Sequence, residues 1–149
     1  MSMNLAGQLK AGSNFKPVVA TPPALSAAGT RNGSTIDRAV PGGVLYRSAT
    51  LHTTTGAIAG SPTAQTVDAK VQHSADGSTW ADYTQPGAGS AAAITQITAA
   101  NQSGELDINL EGARRYIRVV ETVAFTGGTS PTIGVCSSFI LAGADRLPV

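Results

Sequence analysis

Charge is scarce in this sequence: Asp, Glu, Lys and Arg make up 13% of 149 residues, with a formal net charge of +1. An ordinary domain carries about twice that share. Phosphate binding needs clustered Lys and Arg, and only Arg114, Arg115 and Arg118 fall close together, so no nucleic-acid partner is expected. Cys136 is the one cysteine, which excludes an intramolecular disulfide. Aromatic residues amount to 5%, with a single Trp, leaving few rings for stacking on a sugar. No run of eighteen apolar residues occurs, so no membrane-spanning helix and no membrane partner are expected. The start, MSMNLAGQLKAG, lacks a basic stretch followed by an apolar one. No secretory signal is therefore expected, and folding is expected in a cytoplasm-like compartment.

What remains is apolar and β-branched. Hydrophobic residues are 42% of the chain, enough for the core of one domain at 15.0 kDa. The first 33 residues differ in texture from the rest, being small, polar and interrupted by Pro17, Pro22 and Pro23. Proline removes ladder donors, so this part reads as an extended N-terminal arm with one short strand near 15–20. Its apolar residues Leu5, Leu9, Phe15, Val18, Val19 and Leu25 are more than a solvated tail carries, and they are the candidate partner contacts. Residues 34–149 form the second unit. Cutting the chain before Ser34 is expected to leave it folded but to weaken assembly.

From Ser34 onward the pattern is β. Between Gln65 and Ser74, Val67, Ala69, Val71 and His73 alternate with Asp68, Lys70 and Gln72, the mark of a half-buried strand. Asp76-Gly77 supplies a hairpin turn, and residues 79–83 return from it. Leu106, Ile108 and Leu110 alternate with acids and Asn109. Ile117, Val119 and Val123 alternate with Tyr116, Arg118 and Val120, and Ile133, Val135, Phe139 and Leu141 share one face. Residues 34–40 and 44–55 are also strands, and 91–100 reads as a strand because its Thr content disfavours a helix. Seven or eight strands with turn chemistry between them predict an all-β fold, an antiparallel sandwich of jelly-roll or Ig-like kind.

No catalytic constellation is visible, and the chain is not expected to be an enzyme. A base needs a nucleophile or substrate proton within reach. His52 lies among threonines in a strand, and His73 reads as a partly buried, hydrogen-bonded strand residue. Asp68, His73, Asp76 and Asp82 cluster in sequence, but Asp76 belongs to the turn and Asp68 faces away from His73, so no metal and no cofactor are expected. Cys136 reads as an inert thiol in a core-like strand. Glu105, Asp107 and Glu111 are expected to pair across strands with Arg114, Arg115 or Arg118.

Two segments carry a resemblance. Val71-Gln-His-Ser-Ala-Asp-Gly-Ser-Thr-Trp-Ala-Asp82, followed by Gly112-Ala-Arg-Arg-Tyr-Ile-Arg-Val-Val120, resembles small virion proteins of tailed bacteriophages, especially head decoration (cement) proteins. The likeness spans roughly residues 65–141. It implies a β-sandwich on the capsid surface, often a homotrimer, that clamps the major capsid protein and assembles in the host cytoplasm. A tail or connector role would preserve much of the same physics. The same segments also resemble discoidin-like carbohydrate-binding jelly rolls. Under either likeness Trp80 is expected to fill the core beneath the hairpin, so that Trp80→Ala costs about 3–5 kcal/mol.

Overall fold

The alternating runs become strands in the computed structural model, which describes residues 15–40 and 44–144. Along the described residues these are β1 (Lys16–Ser26), β2 (Gly29–Asn32), β3 (Ile36–Asp37), β4 (Ala39–Val40) and β5 (Val44–Ala59). They continue with β6 (Ala64–Ser74), β7 (Ala81–Asp82), β8 (Ser103–Asn109), β9 (Tyr116–Thr126) and β10 (Thr132–Ala144). Every pairing is antiparallel. Sheet I runs β1-β10-β5, with β8 and the short β4 also on β5; sheet II runs β2-β9-β6-β7, with β3 also on β9. The two sheets pack face to face as a β-sandwich, the expected class.

Period-two alternation decides what lies between the sheets. Sheet I contributes Leu51, Ile133, Val135, Phe139 and Leu141, and sheet II contributes Val67, Val71, Ile117, Val119 and Val123, all in one buried cluster. The hairpin after β6 closes as expected. Gly77 takes a φ of 75°, and the Asp76 carboxylate accepts the N–H groups of Ser78 and Thr79. Those backbone donors hold the Asp76 carboxyl well below the usual carboxylate range.

Two expectations about strands are corrected. The N-terminal arm ending at residue 33 is not separate from the sandwich. β1 pairs with β10 from Lys16↔Leu141 to Ser26↔Ile133, and β2 pairs with β9. The prolines are tolerated because β1 is an edge strand with one neighbour, so a missing N–H costs no ladder bond on the free side. Register shifts between Val19 and Ala24 absorb Pro22 and Pro23. The sandwich therefore begins at β1, and a cut before Ser34 removes an edge from each sheet. Residues 1–14, with Leu5 and Leu9, lie outside the described residues.

Residues 91–100, expected as a strand, make isolated bridges instead. Ile94 and Ile97 are three apart and both buried, which a period-two strand does not allow. The segment runs along the side of β6 that β9 leaves free. Val67 N–H donates to the Ile97 carbonyl at 2.8 Å, Val71 N–H to Ala92 at 2.8 Å, and Ile94 N–H to Ala69 at 3.0 Å. Covering an edge in this way removes a template for unwanted strand pairing.

Candidate interaction face

The inward set of β10 is the odd-numbered one, so Gly134, Cys136, Ser138, Ile140 and Ala142 face outward from sheet I. Register carries this face across β5 through Ser48, Thr50, His52 and Thr54, and on to Asn109, Asp107, Glu105 and Ser103 of β8. On β1 the outward residues include Pro17, Val19 and Leu25, opposite Ile140, Ser138 and Gly134. The β1–β10 half of the face is thus uncharged and the β8 margin acidic. The outer face of sheet II is the reverse. There Asp82 accepts from Lys70 and Gln72, each at 2.8 Å, Gln96 binds Asp68, and Arg118 binds Gln72. The two sides of the sandwich differ in chemistry.

The large apolar side chains that remain exposed among the described residues fall together. Phe15 is 45% exposed, Val19 62%, Leu25 76% and Ile140 40%, and all belong to β1, its entry or β10 on the sheet I side. Leu25 walls a groove of about 390 Å3 whose floor includes Gly56 and Gly134. A Cβ built on Gly134 meets Gly56 Cα at 3.5 Å, so the two strands are bare of side chains there. Phe15 and Ile140 stand over the other end of the face and line a hollow with Thr50, Asp107 and Asn109.

Of the candidate contacts from sequence, Phe15, Val19 and Leu25 lie on this face. Val18 does not: its partner in register is the inward Phe139, and it packs against the core. Ile140 was missed, although period two marks it as the large apolar residue on the polar side of its strand. Cys136 is corrected as well. It is half-buried on the outer face and lines the groove, because its parity is opposite to Val135 and Phe139.

Trp80 is a second correction of parity. In the β6–β7 pairing Asp82 lies opposite the outward Gln72 and Ala81 opposite the inward His73. Trp80 shares the side of Asp82, where it is half-buried with the Arg118 guanidinium 4.4 Å from its ring centroid. Tyr83, on the other parity, takes the core position and donates its hydroxyl to the Asn109 carbonyl. A slip of one residue exchanges the faces. Trp80→Ala is consequently expected to cost about 1 kcal/mol, the scale of an exposed cation–π contact. A chemical denaturation curve checks this; a loss near 3 kcal/mol would restore the ring to the core.

The titratable candidates are held in structural roles. His73 Nδ1 accepts the Arg114 N–H at 3.3 Å, and its ring is tilted against Tyr83 at 5.2 Å. Burial, then the charges of Arg114 and Arg38, push its pKa below the ordinary value of 6.5. The folded state therefore takes up this proton less readily than the unfolded chain. Its contribution to stability is complete above about pH 6.5 and is lost as pH falls through the lower folded value. In His73→Gln the unfolding free energy should fall less steeply below about pH 6.5 than in the parent, and an unchanged slope would refute the role. His52 Nε2 lies 3.8 Å from Glu105 on the β8 margin.

The expected acid–arginine pairing does not occur. Glu105, Asp107 and β8 belong to sheet I, whereas Arg115 and Arg118 lead into and lie on β9 of sheet II, so the two sets cannot face each other across a ladder. Asp107 instead accepts the Thr50 hydroxyl at 2.8 Å, Glu111 lies 3.7 Å from Arg47, and Arg115 pairs with Asp37 at 2.7 Å. Two buried charges were not singled out from the sequence. Glu121 lies between the sheets, where it accepts the hydroxyls of Thr21 and Ser137, each at 2.5 Å, and pairs with Arg31 at 2.6 Å. Arg38 is buried and donates to the carbonyls of Tyr46, Leu110, Ala113 and Arg114. Among the described residues no group of three or more His, Cys, Asp or Glu is placed to hold a metal ion. No family model matches this sequence, and no curated protein is significantly similar to it.

Proposed function

We propose that this chain is a non-enzymatic structural subunit of a tailed-phage virion, a head decoration protein that binds and stabilises the major capsid shell. The observation that carries an assembly role is the collection of exposed Phe15, Val19, Leu25 and Ile140 on one uncharged half of a sheet face. Large apolar side chains left exposed on one sheet face support a contact between protein chains. The virion setting rests on the likeness of Val71–Asp82 and Gly112–Val120 to decoration proteins. The low charge of the chain suits a surface that is largely covered after assembly.

A sugar-binding role has less support. Trp80 is the only Trp in the chain, and Arg118 lies over its ring. Purified chain mixed with expanded empty phage capsids should bind saturably and at a fixed ratio to the shell subunits. Binding to isolated tails or to a glycan array, with none to capsids, would overturn the assignment.

A further inference from the structure

We propose that His73 is an acid-sensitive latch on the turn between β8 and β9, closed when the imidazole is neutral and open when it is protonated. The turn, residues 110–115, is pinned at both ends by backbone bonds that do not titrate. At its start Leu110 N–H donates to the Arg47 carbonyl at 2.7 Å, and at its end the Arg115 carbonyl accepts the Arg38 N–H at 3.0 Å. Between these pins the Arg38 guanidinium donates to the carbonyls of Leu110, Ala113 and Arg114. The Arg114 N–H is held differently: it donates to His73 Nδ1 at 3.3 Å. That bond needs a lone pair on Nδ1, so the proton of the neutral ring sits on Nε2. A second proton can only go to Nδ1. It turns the acceptor into a donor, and two N–H groups then point at each other.

The charges around the ring act in the same direction. Its neighbours on β6, Gln72 and Ser74, are neutral, as are Ala81 of β7 and Ile117 of β9 opposite it in register. Arg114 faces it from the turn, Arg38 from the segment joining β3 and β4, and the Tyr83 ring is tilted against it at 5.2 Å. Burial raises the Tyr83 pKa, so that ring stays neutral throughout the acid range. The carboxylates of the adjoining segments are engaged elsewhere. Asp37 pairs with Arg115, Asp76 accepts the hairpin N–H groups, and Glu111 lies 3.7 Å from Arg47. An imidazolium here meets two guanidinium groups. Arg38 is buried and fixed on the Tyr46 carbonyl at 2.8 Å, whereas Arg114 is exposed, so the repulsion is relieved by moving the turn.

The part that moves is 111–114. A Cβ built on Gly112 would stand 3.6 Å from the Tyr83 hydroxyl and 3.5 Å from Pro86, so lifting the turn uncovers the buried Tyr83. The backbone ladder between β6 and β9 does not use the imidazole and stays in place. The opening is therefore local, of the kind that precedes global unfolding. Because the folded ring titrates below its ordinary value of 6.5, the latch is closed above about pH 6.5 and opens as pH falls through that lower value. It operates whether or not the chain meets a capsid.

Amide hydrogen exchange of the full chain by NMR, from about pH 8 to about pH 5 and normalised to the free-peptide rate at each pH, tests the latch. The Arg114 amide should lose protection by about fivefold or more, the worth of one ordinary hydrogen bond. The amides of the β6–β9 ladder should keep theirs, and the loss should follow the titration of the His73 ring signals. In His73→Gln the Arg114 protection should not change with pH. Arg114→Ala keeps the backbone N–H and removes one opposing charge, so its opening should come at higher pH than in the parent.

Arg114 protection that is flat in the parent, or a loss that persists unchanged in His73→Gln, would overturn the latch. So would an opening in Arg114→Ala that does not move to higher pH. Loss of protection across both sheets at the same pH would overturn it as well, since the whole fold would then be melting rather than the turn.

Discussion

Arg38→Met unfolds at lower denaturant than the parent, losing about 3 kcal/mol or more of stability. The buried guanidinium donates to the Tyr46 carbonyl at 2.8 Å, to Leu110 and Arg114 at 3.0 Å, and to Ala113. It thereby ties the loop between β8 and β9 to the start of β5, with Tyr46 N–H returning to the Arg38 carbonyl at 3.0 Å. A buried carbonyl left without a donor costs about 1–3 kcal/mol. The Tyr46 and Leu110 bonds are buried and the Ala113 and Arg114 bonds half-buried, and the Leu110 carbonyl keeps the Ala113 N–H at 2.9 Å. Methionine keeps most of the volume, so the loss reports the hydrogen bonds rather than a cavity. Burial lowers the Arg38 pKa, but a guanidinium starts so far above neutrality that it remains charged at neutral pH. Arg38→Lys should recover less than half of the loss, because an ammonium is a point donor and cannot span carbonyls on both sides of the fork. The check is urea unfolding of the three chains; a loss below about 1 kcal/mol for Arg38→Met would show that water replaces the guanidinium freely.

Arg31→Met should cost a similar amount, about 3 kcal/mol, for a different reason. Glu121 is fully buried between the sheets, while the Arg31 side chain is 28% exposed. Removing the arginine leaves a carboxylate in the interior with only the Thr21 and Ser137 hydroxyls as donors. Breaking a buried pair from one side costs about 3–5 kcal/mol because the surviving charge has lost its compensation. The partial exposure of Arg31 places the effect at the lower end. Glu121→Leu in the Arg31→Met background removes that stranded charge, so the double variant should be more stable than Arg31→Met alone. A double-mutant cycle measures it, with a coupling above about 1.5 kcal/mol expected. Strict additivity would mean that the carboxylate is solvated by some other route.

The parts that were legible in the sequence are those where one local rule decides the outcome. Strands β6, β8, β9 and β10 followed from alternation, and the turn at Asp76-Gly77 from the demand for a positive φ. What was illegible depends on parity or partners that a single run does not encode. Trp80 and Tyr83 are three apart, and only the pairing of Ala81 with His73 decides that Tyr83 enters the core. β1 carries three prolines, and only its place at an edge makes them acceptable. Arg38 has no sequence signal because its acceptors are backbone carbonyls. Glu121 sits where alternation calls for an apolar residue between Val119 and Val123, and that interruption was the available clue. The interaction face was half legible. Phe15, Val19 and Leu25 stood out as apolar residues in a polar stretch, whereas Ile140 was hidden among the apolar neighbours of β10.

The placement of β10 between β1 and β5 also sets the order in which the chain can fold as it is made. Lys16 must find Leu141, and Ala49 must find that same residue from the other side. Contacts closed over such separations form slowly, since the loop entropy is lost before the contact is gained. Sheet II has its central strands once residue 126 has emerged from the ribosome, because β6 and β9 need only each other and the edges already made. Sheet I then consists of β4, β5 and β8, with β1 lacking its neighbour. The nascent sandwich stays one-sided until β10 arrives to join its two halves.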